Sequence, residues 1–326
     1  MTTPPQLDNK QPIGNISTAK LVIAFAAVYL IWGSTYLAMR YAIQTIPPFL
    51  MSSARFLTAG SVLYAYSRFK GQAKATRGGW QRAFILGAML LLFGNGGLLL
   101  AERTVPSGVT AVIFSMVPIF VAIFGWIMGK RPSHQVALGI VVGFVGVTML
   151  FGLGDIGSGR IDPFGASIII VSSMSWAAGL LYSQKARVSS NPLQASSMQM
   201  LGGGTLLLFT ALVTGEARGF HLDQVSISSL IALICLAVFG SIAFTAYSWL
   251  AKSTSPARVA THAYVNPAVA VALGRAVARE PLTARTVLSM CVILVAIIVI
   301  TTAKEKFSSS LDQLMLAEQN IEVGEQ

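Results

Sequence analysis

The stretch VPSGVTAVIFSMVPIFVAIFGWIMGKRP, Val105 to Pro132, is apolar enough to cross a membrane. It carries prolines at its start, near its middle and at its end. Roughly 150 residues later the pattern returns as SPARVATHAYVNPAVAVALGRAVAREP, Ser255 to Pro281. Pro118 matches Pro267, Gly125 matches Gly274, Pro132 matches Pro281, and Lys130 faces Arg279. Upstream, Trp32 matches Trp176, Pro48 matches Pro192, Ser52 and Ser53 match Ser196 and Ser197, and Gly60 matches Gly204. These earlier pairs share one offset, which widens by about five residues before Pro118. Matches in order at fixed spacing mean an internal duplication.

Composition sets the class. Of 326 residues, 54% are hydrophobic and only 11% are charged. Soluble domains carry about 25% charged residues, so two soluble halves are excluded and an integral membrane protein is indicated. The net charge of +11 does not point to nucleic acid, because the basic residues are scattered between apolar runs. Cys235 and Cys291 both lie in apolar runs and give no disulfide framework.

Ten apolar runs are expected as helices, near 20–41, 49–67, 83–101, 107–128, 134–153, 164–184, 194–214, 227–250, 258–278 and 284–302. Each has about 20 residues, the length that crosses ~30 Å of hydrocarbon. In lipid the backbone must satisfy its own hydrogen bonds, so the fold class is all-α. Residues 1–19 are expected to be a disordered N-terminus without a signal peptide. The first five-helix repeat is expected over 20–153, the second over 154–303, and a polar tail over 304–326.

Lysine and arginine in the loops set the orientation. One side collects Lys10, Lys20, Arg68, Lys70, Lys74, Arg77, Arg82, Lys130, Arg131, Lys185, Arg187, Lys252, Arg258, Lys304 and Lys306. The other has Arg40, Arg103, Arg160, Arg218, Arg275, Arg279 and Arg285. Both termini should therefore be cytoplasmic. Five helices per repeat is an odd number, so the second half should enter the membrane upside down. Inverted repeats are a hallmark of secondary transporters, with a substrate site near the midplane.

The segments IWGSTYLAMRYAIQTIPPFLMSSARFLTAG, AERTVPSGVTAVIFSMVPIF and AYVNPAVAVALG followed by EPLT resemble the EamA-type members of the drug/metabolite transporter superfamily, most of all its YedA-like group of bacterial inner-membrane proteins. The likeness runs from about Leu21 to Thr302. It implies ten helices in a five-plus-five inverted repeat, cytoplasmic termini, a central cavity, and helices 5 and 10 at the periphery. It also implies export of small metabolites, amino acids or drugs across the inner membrane. Arg275 and Arg279 depart from the family pattern, where many relatives are apolar or small.

Several residues are candidates for contact with a small-molecule substrate. Pro118 and Pro267 fall half-way along their helices, where each removes a ladder hydrogen bond and kinks the chain. Their polar neighbours are Ser115, Thr261, His262, Tyr264 and Asn266. Arg55 lies deep in helix 2, where a charge is costly unless it faces the bundle interior or water. Its repeat partner is Gln199. Trp32, Tyr36, Trp176, Tyr247 and Trp249 offer ring faces, and Ser34 and Thr35 offer hydroxyls beside Trp32. Glu102, at the end of helix 3, is either a solvated acid beside Arg103 or a protonatable coupling group. His262 is either a hydrogen-bonded structural residue or a proton relay. The stripe Gly139, Gly143 and Gly146 permits close helix packing, within the chain or in a homodimer.

Two tempting motifs fail. Gly152-Leu153-Gly154-Asp155 matches a string of intramembrane aspartyl proteases, but no other expected helix holds the second Asp that such chemistry needs. Gly125 to Lys130 is one residue short of a phosphate-binding loop. No enzyme activity, cofactor or metal site is expected, and lipid and a small solute are the expected partners. A non-transporting scaffold or receptor and a gated channel are the alternatives to a carrier.

Overall fold

The computed structural model describes residues 18–129, 132–151, 161–253 and 262–302. Both tails, Thr261 and the Gly152–Asp155 string lie outside these residues, as does the side chain of Trp249. Ten helices run through the described residues. They are α1 (Thr18–Ala42), α2 (Pro48–Phe69), α3 (Arg77–Ala101), α4 (Ser107–Ile127), α5 (His134–Phe151), α6 (Pro163–Lys185), α7 (Pro192–Val213), α8 (Ile227–Ser253), α9 (His262–Ala276) and α10 (Ala284–Thr302). Six of them, α1, α3, α4, α6, α7 and α10, are long and apolar enough to cross a membrane. Large apolar side chains such as Val22, Ile23, Val62, Trp126, Leu138, Val141 and Val295 point outward and exposed.

Three boundaries or shapes differ from the sequence expectation. Helix α3 starts at Arg77 rather than near 83, because the Thr76 hydroxyl accepts the Gly79 N–H at 3.0 Å and caps it. Its middle, Gly87–Gly96, is wound as a π-helix. Helix α4 is broken in two at Ser115–Met116, just before Pro118. Pro118 sits in the first turn of the second piece, a position that proline tolerates. By contrast, Pro267 lies inside the single helix α9.

The helices of the two halves interleave. Helix α2 packs along α7, α5 along α10, and α4 against α9. Helix α3 meets α6, and α8 meets α1 in turn. Close approach is made by glycine: a Cβ on Gly87 would lie 2.4 Å from the Gly203 backbone nitrogen, so α3 and α7 touch backbone to backbone. The Gly139, Gly143 and Gly146 stripe is filled within the chain, by Ile300, Ile119 and Ile293. The α3–α7 contact is extensive, whereas its counterpart, α2 with α8, is slight.

Connections α1–α2, α3–α4, α7–α8 and α9–α10 gather at one end of the bundle, here called the latch end. The basic α2–α3 connection lies at the other, here called the basic end.

Candidate functional site

Arg55 is about a third of the way along α2 from the latch end, on the face turned to α8. Its guanidinium reaches Gly240, at the middle of α8: a Cβ there would lie 3.1 Å from an Arg55 nitrogen. It also sits over the Phe56 ring at 5.0 Å. Among the described residues the one ion pair is Arg40 with Glu280, so no described carboxylate neutralises Arg55. Phe239, next to Gly240, lines a cleft of about 250 Å³ between α1 and α8. Ser34, Thr35 and Ala38 line it from α1, and Cys235 and Leu236 from α8. The two hydroxyls donate to carbonyls of their own helix, Ser34 to Ile31 at 2.8 Å and Thr35 to Trp32 at 2.6 Å. Their acceptor lone pairs remain for another donor.

The aromatic candidates separate into two groups. Trp32 meets Tyr247 at 5.0 Å and His262 at 5.3 Å between ring centroids, and those two rings are 5.4 Å apart. Three rings from α1, α8 and α9 thus form one cluster. Trp176, the repeat partner of Trp32, packs edge-on to Phe114 at 5.5 Å and against Gly94. Ser115 donates to the Val112 carbonyl at 2.6 Å, beside the break in α4. Tyr264 packs beside the α4 core. Asn266 is buried, and its side-chain oxygen has no hydrogen-bond partner. Gln199 belongs to the α3–α7 contact, where its carbonyl faces Gly87, not to the α2–α8 contact of Arg55.

Sequence reading missed a buried polar link. Ser52 donates to the Asn95 side-chain oxygen at 2.9 Å, and the Asn95 amide reaches the Met39 sulfur at 3.7 Å. Helices α1, α2 and α3 are therefore pinned together at the π-helical stretch. Such stretches recur at functional sites. An Asn amid apolar residues in FGNGG was the available signal.

The latch end was also missed. Glu280 accepts the N–H and hydroxyl of Ser107 on one oxygen, at 2.9 and 2.8 Å, and the Gly108 N–H on the other, at 3.1 Å. It thus caps α4 from the α9–α10 connection. Arg40 approaches it to 3.4 Å and also donates to the Val105 carbonyl at 3.2 Å. Gly274 leaves the room: a Cβ there would lie 2.5 Å from a Glu280 oxygen. Glu216 likewise accepts the N–H groups of Phe49 and Leu50 at 3.0 and 3.1 Å, capping α2. Burial pushes its carboxyl above the ordinary range.

Glu102 corrects the solvated reading. It is 2% exposed, and neither carboxylate oxygen has a hydrogen-bond partner. It stands one residue beyond the apolar span of α3, among Leu98, Ala101 and Val105. Burial holds its carboxyl well above the usual range, Arg40 works against this, and Glu280 adds to it. Asp162, partly exposed nearby, is held below its ordinary value, chiefly by the Thr104 hydroxyl at 2.6 Å.

The EamA-like transporter family matches the chain twice, over residues 19–152 and 163–302. The chain is 35% identical over 286 residues to the uncharacterized inner membrane transporter YedA of Escherichia coli (strain K12), covering 87% of this chain and 91% of that one. It is 21% identical over 283 residues to the uncharacterized transporter YvbV of Bacillus subtilis (strain 168), covering 86% and 91%. A crystal structure described only as that of a protein superposes with a TM-score of 0.57 at 17% identity, over 87% of this chain and 97% of that one. At that identity the likeness concerns the fold alone.

Proposed function

Because the chain belongs to the EamA-like transporter family, we propose that it is a secondary transporter that exports small metabolites, amino acids or drugs across the cytoplasmic membrane. The carrier works by alternating access around a midplane site between two inverted five-helix halves. Both termini and the basic end are cytoplasmic, and the latch end is periplasmic, following the distribution of Lys and Arg. Support comes from the two family matches, from relatives named as transporters, and from the interleaved packing of the halves.

The observation that carries the reading is Arg55. A guanidinium inside a membrane bundle is expensive unless it is paired. Here it lies at the slight α2–α8 contact, with no described carboxylate beside it. Its natural partner is an anionic group on the solute, such as the carboxylate of an amino acid, held through charge-assisted hydrogen bonds. In this reading Ser34 and Thr35, which line the α1–α8 cleft, accept from the same solute, and the Trp32, Tyr247 and His262 cluster offers it ring faces. Pro118 and Pro267 shape the midplane backbone, so Pro118→Ala and Pro267→Ala should lower flux more than they lower the amount of folded protein.

The test is flux through purified protein in liposomes, with amino acids, aromatic cations and sugars as the panel. A carrier gives saturable uptake and counterflow, with carboxylate-bearing solutes preferred. Flux without counterflow would make it a channel, and absence of flux across the panel would favour a scaffold or receptor.

A further inference from the structure

At the latch end two buried carboxylates, Glu102 and Glu280, lie near one partly exposed guanidinium, Arg40. Arg40 of α1 lies 3.4 Å from Glu280. Glu102, at the end of α3, is 2% exposed and within the field of both. Tyr36, one turn before Arg40 on α1, packs against the cluster of Leu98, Ala101 and Val105 that flanks Glu102. The remaining charges nearby are committed or peripheral: Arg103 and Arg279, next in the chain to Glu102 and Glu280, are exposed. Arg275 lines the outer cleft beside Glu280, and Asp162 is held by Thr104 and its own helix start. One guanidinium therefore serves two buried carboxylates. Glu280 already holds it and three further donors. If both acids were ionised, the cluster would carry an uncompensated negative charge out of water, which is costly. Glu102 has no donor of its own to offset that cost.

We propose that Glu102 is a proton-binding site that sets the Arg40–Glu280 latch. With the latch closed, as here, the cluster is neutral because Glu102 carries a proton. Opening the latch admits water, and the Glu102 O–H bond then breaks. The proton passes to the periplasmic solution, and the carboxylate left behind competes with Glu280 for Arg40. Loading from the periplasm reverses each step. Proton binding itself needs no substrate. Its use as the driving ion rests on the transport reading above.

The experiment is infrared difference spectroscopy on the full chain in liposomes across a pH titration. It follows the C=O stretch of a protonated carboxylic acid. The wild type should show a Glu102 component of this band, beside any from Glu216, that persists above the pH at which exposed carboxylates ionise. Glu102→Gln should lose it. Glu280→Gln should lose it too, because Arg40 is then released to Glu102, a change that a merely structural acid would not produce. If Glu102→Gln does not reach the membrane, Glu102→Asp carries the test, and its band must shift. A band absent from wild type, or unchanged in these variants, overturns the proposal. Flux without the band removes the proton site and leaves the carrier. The band without flux keeps the proton site and removes the carrier.

Discussion

Two kinds of helix start divide this molecule. Helices α3, α5, α6, α7, α8 and α10 are capped by a residue at their own first turn: Thr76, Ser133, Asp162, Asn191, Ser226 and Thr283. Helices α2 and α4 are not. Each is preceded by a proline, Pro47 or Pro106, whose side chain accepts nothing. Their orphan N–H groups are met instead by Glu216 and Glu280, from the other half of the chain. The contrast is sharpest between repeat partners, since Asn191 stands before Pro192 where Pro47 stands before Pro48. A local cap serves its helix. A remote cap serves the joint between halves, and it must be given up if that joint opens.

The contrast can be broken most forcefully at Glu280. Glu280→Ala takes the acceptor from Ser107, Gly108 and the partly exposed Arg40, and a lost hydrogen bond to a charged group costs about 1.5–3 kcal/mol. Melting in detergent should fall accordingly, and spin labels on α4 and α9 should report a wider latch end. Next, Glu216→Ala should cost about 1–2 kcal/mol, the range for a lost helix cap. It should loosen the start of α2 in hydrogen exchange. Asn191→Ala should cost about 1 kcal/mol and leave the latch distance unchanged. If Asn191→Ala widened the latch as Glu280→Ala does, the distinction between local and remote caps would fail.

The smallest effect is one of pH. Burial raises the Glu102 carboxyl in the folded chain, so the folded state binds a proton that the unfolded state has released. Stability linked to it is complete below the unfolded pKa and is lost as pH rises through the folded one. Melting temperature should therefore decline with rising pH in wild type and decline less in Glu102→Gln. Parallel declines would contradict the burial.

The division between local and remote also explains what could be read in advance. Apolar runs of membrane length gave the helices, because each run answers only to lipid. The start of α3 was placed late since Arg77 and Arg82 read as loop, although Thr76 was already a local cap. The π-helical stretch GAMLLLFGNG was not read in advance; it packs on α6 and α7, contacts that exist only in three dimensions. Glu280 was passed over because its partner Ser107 lies 173 residues away. Arg55 was legible because charge at membrane depth is rare. Its neighbour Gly240 was not, since that contact exists only in three dimensions.

The central claim is that Arg55 receives the negative group of the solute. The direct measurement is solute affinity beside a melting curve for wild type, Arg55→Lys and Arg55→Gln, using the best carboxylate from the flux panel. Lysine keeps the charge and loses the fork, and glutamine copies Gln199. The account predicts that both variants melt as wild type does. It also predicts that they bind the carboxylate about ten- to a hundredfold more weakly, the loss of one charge-assisted contact. Wild-type affinity in both variants, or melting far below wild type in both, would contradict it.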